Sequence, residues 1–180
     1  MDIKDAILGT IKISGEVKGR TLLQKKLYFL SVLSGDDFGF QAHYYGPYSS
    51  EVSDQLGALV QADLIREQPH FLGGSSGPFG EARRYDYSLT DSGVKVFSHR
   101  QESIAKFSEV IDLINSDSVG DDANLISVAG KVHFILSNQN NATSTVNEIQ
   151  DVAQSEFGWD ISTSEIKQVV GYLQILRLAK

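Results

Sequence analysis

The residues that most often carry catalysis or bind metals are scattered along this chain. Its histidines are His43, His70, His99 and His133, and no two have the i, i+3 or i, i+4 spacing that places two imidazoles on one helix face. Cysteine is absent, which excludes disulfides and thiolate metal sites. The sequence therefore predicts no metal site and no cofactor.

Two short motifs match catalytic signatures, but their context favours structural roles. Residues 73–77 (Gly-Gly-Ser-Ser-Gly) fit the Gly-x-Ser-x-Gly pattern of hydrolases, in which a helix must follow the serine, whereas a strand is predicted to follow here. Glu165 and Lys167 match the Glu-x-Lys of metal-dependent nucleases, yet Glu165 is the third position of a capping box that begins at Ser162. We therefore expect no catalytic residues and a protein that is not an enzyme.

An aromatic segment at residues 43–48 (His-Tyr-Tyr-Gly-Pro-Tyr) is a candidate binding site. It holds three of the chain's seven tyrosines. One interpretation is core packing, with the rings filling the space between two helices. The other is a contact surface, because tyrosine offers a large rigid face and a hydroxyl to a protein partner or a base. The candidate partner-binding residues are His43, Tyr44, Tyr45 and Tyr48.

A second set of candidates concerns nucleic acids. The predicted third helix, residues 50–63, carries three carboxylates and no lysine or arginine, so its only plausible base readers are Gln55 and Gln61. In a DNA-binding winged helix this element enters the major groove, where carboxylates would oppose binding. The cations lie around the start of the second helix and in the predicted wing, where they could hold a phosphate backbone, contact an acidic protein face or remain solvated. They are Lys18, Arg20, Lys25, Lys26, Arg83 and Arg84.

Composition indicates a folded, acidic protein. The chain has 180 residues, a net charge of −7 and 41% hydrophobic residues. Residues 1–100 carry 11 cations and 12 anions, and residues 101–180 carry 5 and 11, so the C-terminal part repels a phosphate backbone. No apolar run suits a bilayer, and the N-terminal residues lack the pattern of a signal peptide. We expect a cytoplasmic protein with no membrane contact.

Helical periodicity and turn residues organise the first hundred residues. A helix is predicted over 1–14, and a second begins at a capping box formed by Thr21 and Gln24. On the second helix we expect the leucines inside and Gln24, Lys25 and Ser31 outside. Residues 38–45 read as an extended strand, and a third helix is capped by Ser49 or Ser50. Two paired strands, 65–72 and 83–89, flank a hairpin tip at 73–80.

Three segments together carry a resemblance to a known family. They are residues 19–30 (Gly-Arg-Thr-Leu-Leu-Gln-Lys-Lys-Leu-Tyr-Phe-Leu), 43–49 (His-Tyr-Tyr-Gly-Pro-Tyr-Ser) and 87–93 (Tyr-Ser-Leu-Thr-Asp-Ser-Gly). In this order they resemble the YwgA-like winged-helix proteins of bacteria and archaea and, more distantly, the SocA-like (Panacea) antitoxin domain. The last segment is similar to the Tyr-x-Leu-Thr-x-x-Gly that closes the wing in many winged helices. The resemblance covers about residues 1–100 and implies a regulator or neutralising adaptor.

The remainder is predicted to be helical. A long helix over 91–116 carries an apolar stripe, Ile104, Phe107, Ile111 and Ile114, which must pack on the C-terminal helices, a second copy or another protein. We favour a homodimer through residues 94–116. Capping boxes at Thr145 and Ser162 begin two short helices that suggest a second helix-turn-helix.

These observations predict a mainly α fold with a small β-hairpin wing. Residues 1–92 would form a winged helix-turn-helix domain and residues 93–180 a helical domain. The favoured function is a non-enzymatic adaptor or antitoxin-like regulator that binds a protein partner, in a toxin–antitoxin or defence locus. The alternative is a dimeric DNA-binding transcription regulator that uses the wing and second-helix cations.

Overall fold

The computed structural model describes residues 2–71, 83–138 and 145–179. Within these ranges the chain is mainly helical with a small antiparallel sheet, as the sequence predicts. The elements are α1 (Ile3–Ser14), β1 (Val17–Lys18), α2 (Arg20–Ser34), α3 (Ser50–Gln61), β2 (Ile65–Phe71), β3 (Arg83–Leu89), α4 (Asp91–His99), α5 (Gln101–Ala105), α6 (Ser108–Ile114), a 3-10 helix (Ser118–Asp121), α7 (Ala123–Asn138), α8 (Val146–Phe157) and α9 (Thr163–Ile175).

The sheet contains the predicted hairpin and one strand that was not predicted. β3 is central, with β2 on one side and β1 on the other, and both pairings are antiparallel. Ile65 lies opposite Leu89, and Val17 lies opposite Tyr87. The two-residue β1 is too short for an alternation pattern to reveal. The predicted hairpin tip at 73–80 and the Gly-x-Ser-x-Gly motif at 73–77 both lie outside the described residues.

Two predictions about α2 are wrong. The helix begins at Arg20 after Gly19, and no side chain caps its first turn, so Thr21 and Gln24 do not form a capping box. Gln24, Lys25 and Ser31, expected outside, are all buried. The reason is that α2 contacts α1, α6, α7 and β1, which surround it on several sides. A helix at the centre of a fold buries its polar face as well as its leucines.

The segment before α3 is not the predicted strand. Residues 38–45 form no ladder, and their only pairing is a single bridge between Gln41 and Tyr48. Gly39, with φ of 69°, interrupts the extended conformation. α3 itself begins as predicted, because the Ser49 hydroxyl accepts from the Val52 amide.

The segment that follows β3 begins the next helix. The Thr90 hydroxyl accepts from the Gly93 amide and caps α4. Gly93 is required here, since a Cβ at this position would lie 2.0 Å from the Leu64 carbonyl oxygen. The hydrophobic pattern of the sequence predicts five core leucines: Leu27, Leu30, Leu56, Leu59 and Leu89. The first four are core residues, and Leu89 is only partly buried.

The predicted long helix over 91–116 is instead three short helices. The chain leaves helical geometry at Arg100 and at Phe107, where ψ is 9° in both cases. These bends let the apolar stripe wrap around α1: a Cβ on Gly9 would lie 2.8 Å from Ile104 Cγ2 and 3.0 Å from Phe107 Cε2. The stripe is therefore buried within the chain and is not available as an exposed dimer interface. The homodimer itself remains a prediction.

The C-terminal helices join the same core. α7 packs on α2 and α9, and the Tyr172 hydroxyl on α9 donates to the Ile114 carbonyl at 3.0 Å. The capping boxes at Thr145 and Ser162 are confirmed. Buried residues on both sides of position 92 form one cluster, and the division at 92/93 remains a prediction. No helix in the described parts of the chain combines the length and apolar character needed to cross a bilayer.

Candidate partner-binding site

Residues 43–48, hereafter the aromatic loop, present two tyrosines to solvent. Tyr44 is 70% exposed and Tyr45 61%, and their rings meet edge-on with centroids 4.9 Å apart. His43 is also exposed, while Tyr48 is half-buried with its ring 5.2 Å from the His43 ring. The core-packing interpretation therefore applies only to Tyr48, and only in part. The four predicted residues lie in one short loop, in which the rings of Tyr44 and Tyr45 are exposed to solvent.

The loop backbone closes on itself. The Gly46 amide donates to the His43 carbonyl at 2.9 Å, and Gln41 and Tyr48 exchange two backbone hydrogen bonds of 2.9 and 3.0 Å. Gly46 has φ of 89°, a conformation that side chains other than glycine rarely adopt. The glycine thus makes a turn that leaves Tyr44 and Tyr45 at its tip.

Two buried side chains of α2 hold the loop from below. The Lys25 ammonium donates to the Pro47 carbonyl at 2.6 Å. The Gln24 amide accepts from the Ser49 N–H at 3.1 Å and donates to the Ser49 carbonyl at 2.9 Å. These bonds satisfy backbone groups that would otherwise be buried without partners. Gln24 and Lys25, which the sequence pattern placed on an exposed face of α2, therefore position the loop.

The chain's only tryptophan holds the loop from the other side. The Trp159 indole N–H donates to the His43 carbonyl at 2.7 Å, and the ring, 2% exposed, stacks on Phe157 at 4.5 Å. The aromatic loop is thus fixed by α2 and by the α8–α9 connection. A loop held in one conformation loses little conformational entropy when a partner binds, so its exposed rings retain more of their binding free energy.

Two lysines, Lys25 and Lys131, lie under the loop, and neither forms an ion pair with a described residue. Burial, and then the neighbouring Lys131 ammonium, lower the pKa of Lys25 to about 8. Burial also lowers the pKa of Lys131, against the opposing charges of Glu165 and Asp160. Sequence reasoning missed Lys131 because it is a single cation within the apolar α7. The Leu-Gln-Lys segment of α2 and the Gly-Pro turn of the loop both belong to the motifs that carry the family resemblance. Their joint occurrence could have indicated that Lys25 contacts the loop.

A neutral tyrosine–histidine pair joins α2 to α7. The Tyr28 hydroxyl lies 2.7 Å from His133 Nδ1, and both side chains are buried. Burial lowers the pKa of His133 to about 4 and raises that of Tyr28. At neutral pH the imidazole is uncharged, and the tautomer of His133 decides which of the two atoms donates the hydrogen bond. This pair fastens the two helices that carry Lys25 and Lys131.

Two of the predicted nucleic-acid contacts are buried, which corrects the expectation for Lys25 and Lys26. Lys26 is 1% exposed, and its ammonium donates to Asp121 at 2.8 Å and to Asn115 at 2.5 Å. Lys25 is committed to Pro47 as described. Neither can reach a phosphate backbone, because each faces the interior of the chain.

The remaining cations lie on the sheet side of the molecule. Arg20 donates to Glu67 at 3.1 Å and to the Tyr87 hydroxyl at 3.2 Å, and Arg84 donates to Asp86 at 2.7 Å. Lys18 and Arg83 are exposed and form no ion pair with a described residue, and Arg83 lies over the Phe71 ring. The uncharged Gln55 on α3 is half-buried. Among the described residues, no group of three or more His, Asp or Glu side chains is placed to hold a metal ion.

Comparison with known proteins gives one informative similarity. No model of a known protein family matches the chain. The chain is 31% identical to the uncharacterized protein YwgA of Bacillus subtilis (strain 168) over 106 residues. The match covers 58% of this chain and 60% of YwgA. This similarity supports the resemblance to YwgA-like proteins that the sequence motifs indicate.

Proposed function

We propose that this chain is a non-enzymatic, antitoxin-like adaptor or regulator that binds a protein partner through the aromatic loop. The observation that carries the proposal is the pair Tyr44 and Tyr45, 70% and 61% exposed on a backbone that buried groups hold in place. The proposal includes a cytoplasmic location, and its setting would be a toxin–antitoxin or defence locus of a bacterium or archaeon.

The physical argument rests on what tyrosine does at interfaces. A few residues dominate the binding energy of an interface, each costing about 2 kcal/mol or more when truncated, and tyrosine is enriched among them. Such residues contribute most when their conformation is fixed before binding. The aromatic loop meets both conditions, since the rings are exposed while Lys25, Gln24 and Trp159 hold the backbone.

We further propose that residues 1–92 form a winged helix-turn-helix module and residues 93–180 a helical domain. The order α1-β1-α2-α3-β2-β3 and the sheet order β1-β3-β2 support this interpretation. α3 would then be the recognition helix, yet it presents the exposed carboxylates Glu51 and Asp54. This charge favours a module that binds protein over one that reads bases.

The alternative, a dimeric DNA-binding regulator, has fewer residues to support it. Lys25 and Lys26 are buried, and Arg20 and Arg84 are already paired with carboxylates of the sheet. Each phosphate contact contributes to a salt-dependent affinity, so the loss of available cations lowers the affinity that this mode can supply.

Peptide selection tests the proposal without a known partner. A displayed library of random 12-residue peptides would be selected on the wild-type chain, and the enriched peptides measured by fluorescence anisotropy. The double variant Tyr44→Ser/Tyr45→Ser should weaken them at least tenfold. Phe71→Ser is the matched control, because Phe71 is 62% exposed but lies on β2. Peptides that bind both variants like the wild type would contradict the proposed site.

The DNA alternative has its own experiment. A random 30-base-pair duplex would be titrated with the chain at low salt, where affinity driven by counterion release is greatest. The proposal expects no binding in the micromolar range. Binding that falls with salt and weakens evenly across sequences in Arg83→Ala would favour the DNA-binding regulator, because phosphate contacts carry no base information.

A further inference from the structure

The region beneath the aromatic loop concentrates positive charge. Gly46 lies between two lysine stems: a Cβ built on it would lie 3.0 Å from Lys131 Cγ and 3.5 Å from Lys25 Cε. Lys131 also extends over the Trp159 ring, with its ammonium 5.7 Å from the ring centroid. The two cations therefore approach the loop from α2 and from α7.

Within the described residues, neither lysine has a carboxylate within ion-pair distance. Lys25 Nζ has one acceptor, the neutral carbonyl of Pro47, although an ammonium can donate three hydrogen bonds. Lys131 has its cation–π contact with Trp159, and the nearest influences on its charge are Glu165 and Asp160 on the α9 side. Lys26, the other fully buried lysine among the described residues, is by contrast paired with Asp121. The charge below the loop is thus partly desolvated and, among the described residues, has no ion-pair partner, although Glu165 and Asp160 act on Lys131 from a longer distance.

We propose that the protein partner docks an acidic side chain, an aspartate or glutamate, on Lys131 beside the aromatic loop. This inference rests on the proposed function and states the chemistry of the partner segment. The half-buried Lys131 makes the direct contact, and Lys25, which is 2% exposed, contributes only its field. Tyr44 and Tyr45 then cover the apolar part of the same segment.

Charge complementarity distinguishes this occupant from others. A cation that is partly removed from water and has no direct ion-pair partner gains more from a new carboxylate than an exposed lysine does. A single carboxylate suits the site better than a polyphosphate, because the chain's net charge of −7 repels a polyanion. Binding of the carboxylate should also make proton release from both lysines harder.

The test uses the peptides selected above. Enriched peptides should carry aspartate or glutamate more often than the unselected library. For the tightest peptide, changing the acid to its amide should weaken binding to the wild-type chain about tenfold. The same change should have a much smaller effect on Lys131→Met, because the directly contacting cation is gone and only the field of Lys25 remains. Lys106→Met is the matched control: Lys106 is exposed and lies between α5 and α6, and this variant should keep the full acid-to-amide difference.

The outcomes separate the two proposals. If peptides require Tyr44 and Tyr45 but contain no enriched acid, or if the amide change weakens Lys131→Met equally, the acidic contact is wrong while the proposed function stands. If peptides do not require the tyrosines, the proposed function itself fails. A second measurement follows the lysine 13Cε resonances: the acidic peptide should raise the pH midpoint of Lys25, and the amide peptide should not. If the acidic peptide leaves the pH midpoint of Lys25 unchanged, the electrostatic contribution attributed to Lys25 is wrong.

Discussion

Lys25 provides the sharpest stability prediction, because it is a buried cation that also anchors the aromatic loop. Lys25→Met removes the charge and the hydrogen bond to Pro47 while keeping a long apolar stem. The pKa of Lys25 is lowered to about 8, from an ordinary value of 10.5, mainly by burial. The unfolded chain therefore binds a proton at this residue more readily than the folded chain does.

The sign and size of the effect follow from proton linkage. Below pH 8 the lysine is charged in both states, and the folded chain carries the full cost of the buried charge. That cost disappears as the pH rises to 10.5, because the folded lysine becomes neutral first. A pKa difference of this size corresponds to about 3 kcal/mol. Relative to Lys25→Met, the wild-type chain should therefore gain about 3 kcal/mol of unfolding free energy between pH 7 and 10.5.

Urea unfolding followed by circular dichroism at 222 nm measures this difference at several pH values. Subtracting the Lys25→Met profile removes contributions that the two chains share, including those of the buried tyrosines. At the highest pH the variant should be the less stable, because the Pro47 carbonyl has lost its donor, which costs about 1–3 kcal/mol. Lys95→Met, an exposed position on α4, is the control and should run parallel to wild type. A difference that stays constant with pH for Lys25→Met would refute the reasoning.

Further predictions concern the core. Leu27→Ala should lower the unfolding free energy by about 2–5 kcal/mol in urea, since Leu27 is fully buried; an unchanged midpoint would contradict the assigned face. Thr10→Val should raise the free energy by about 1 kcal/mol, because the Thr10 hydroxyl is buried without a hydrogen-bond partner among the described residues; destabilisation would show that it has one. The unfolding free energy of the wild-type chain should fall by about 3 kcal/mol as the pH drops from 6.5 to 4, because burial lowers the pKa of His133 to about 4 and the unfolded imidazole protonates first. His133→Gln should lose this part of the pH dependence. An unchanged pH dependence in that variant would show that another group causes it.

Local signals in the sequence predicted the parts of the fold that local interactions decide. The capping boxes at Thr145 and Ser162, the cap at Thr90 and the hairpin strands are all formed by residues close in sequence. Periodicity also identified the core leucines of α2 and α3. Such patterns depend on short-range geometry and survive in the folded chain.

Long-range packing decided what the sequence did not predict. Lys25 and Lys26 were expected among the cations available to a partner or to solvent, because no pattern along the chain reveals that α7 and the 3-10 helix cover that face of α2. The stripe over 104–114 read as a continuous helix, yet it bends so as to wrap around Gly9 of α1. The tyrosines of the loop lie close together in sequence and were identified. Trp159 and Lys131 lie far from the loop in sequence, so they were not.

The central claim, that the aromatic loop is where the partner binds, has a direct reporter in Trp159. It is the chain's only tryptophan, so its indole N–H gives one resolved 1H–15N signal, and that N–H donates to the His43 carbonyl at 2.7 Å. Titration with the tightest selected peptide should shift this signal together with the backbone signals of residues 43–48. Shifts confined to β2, β3 or α3, with the indole signal unmoved, would contradict the claim.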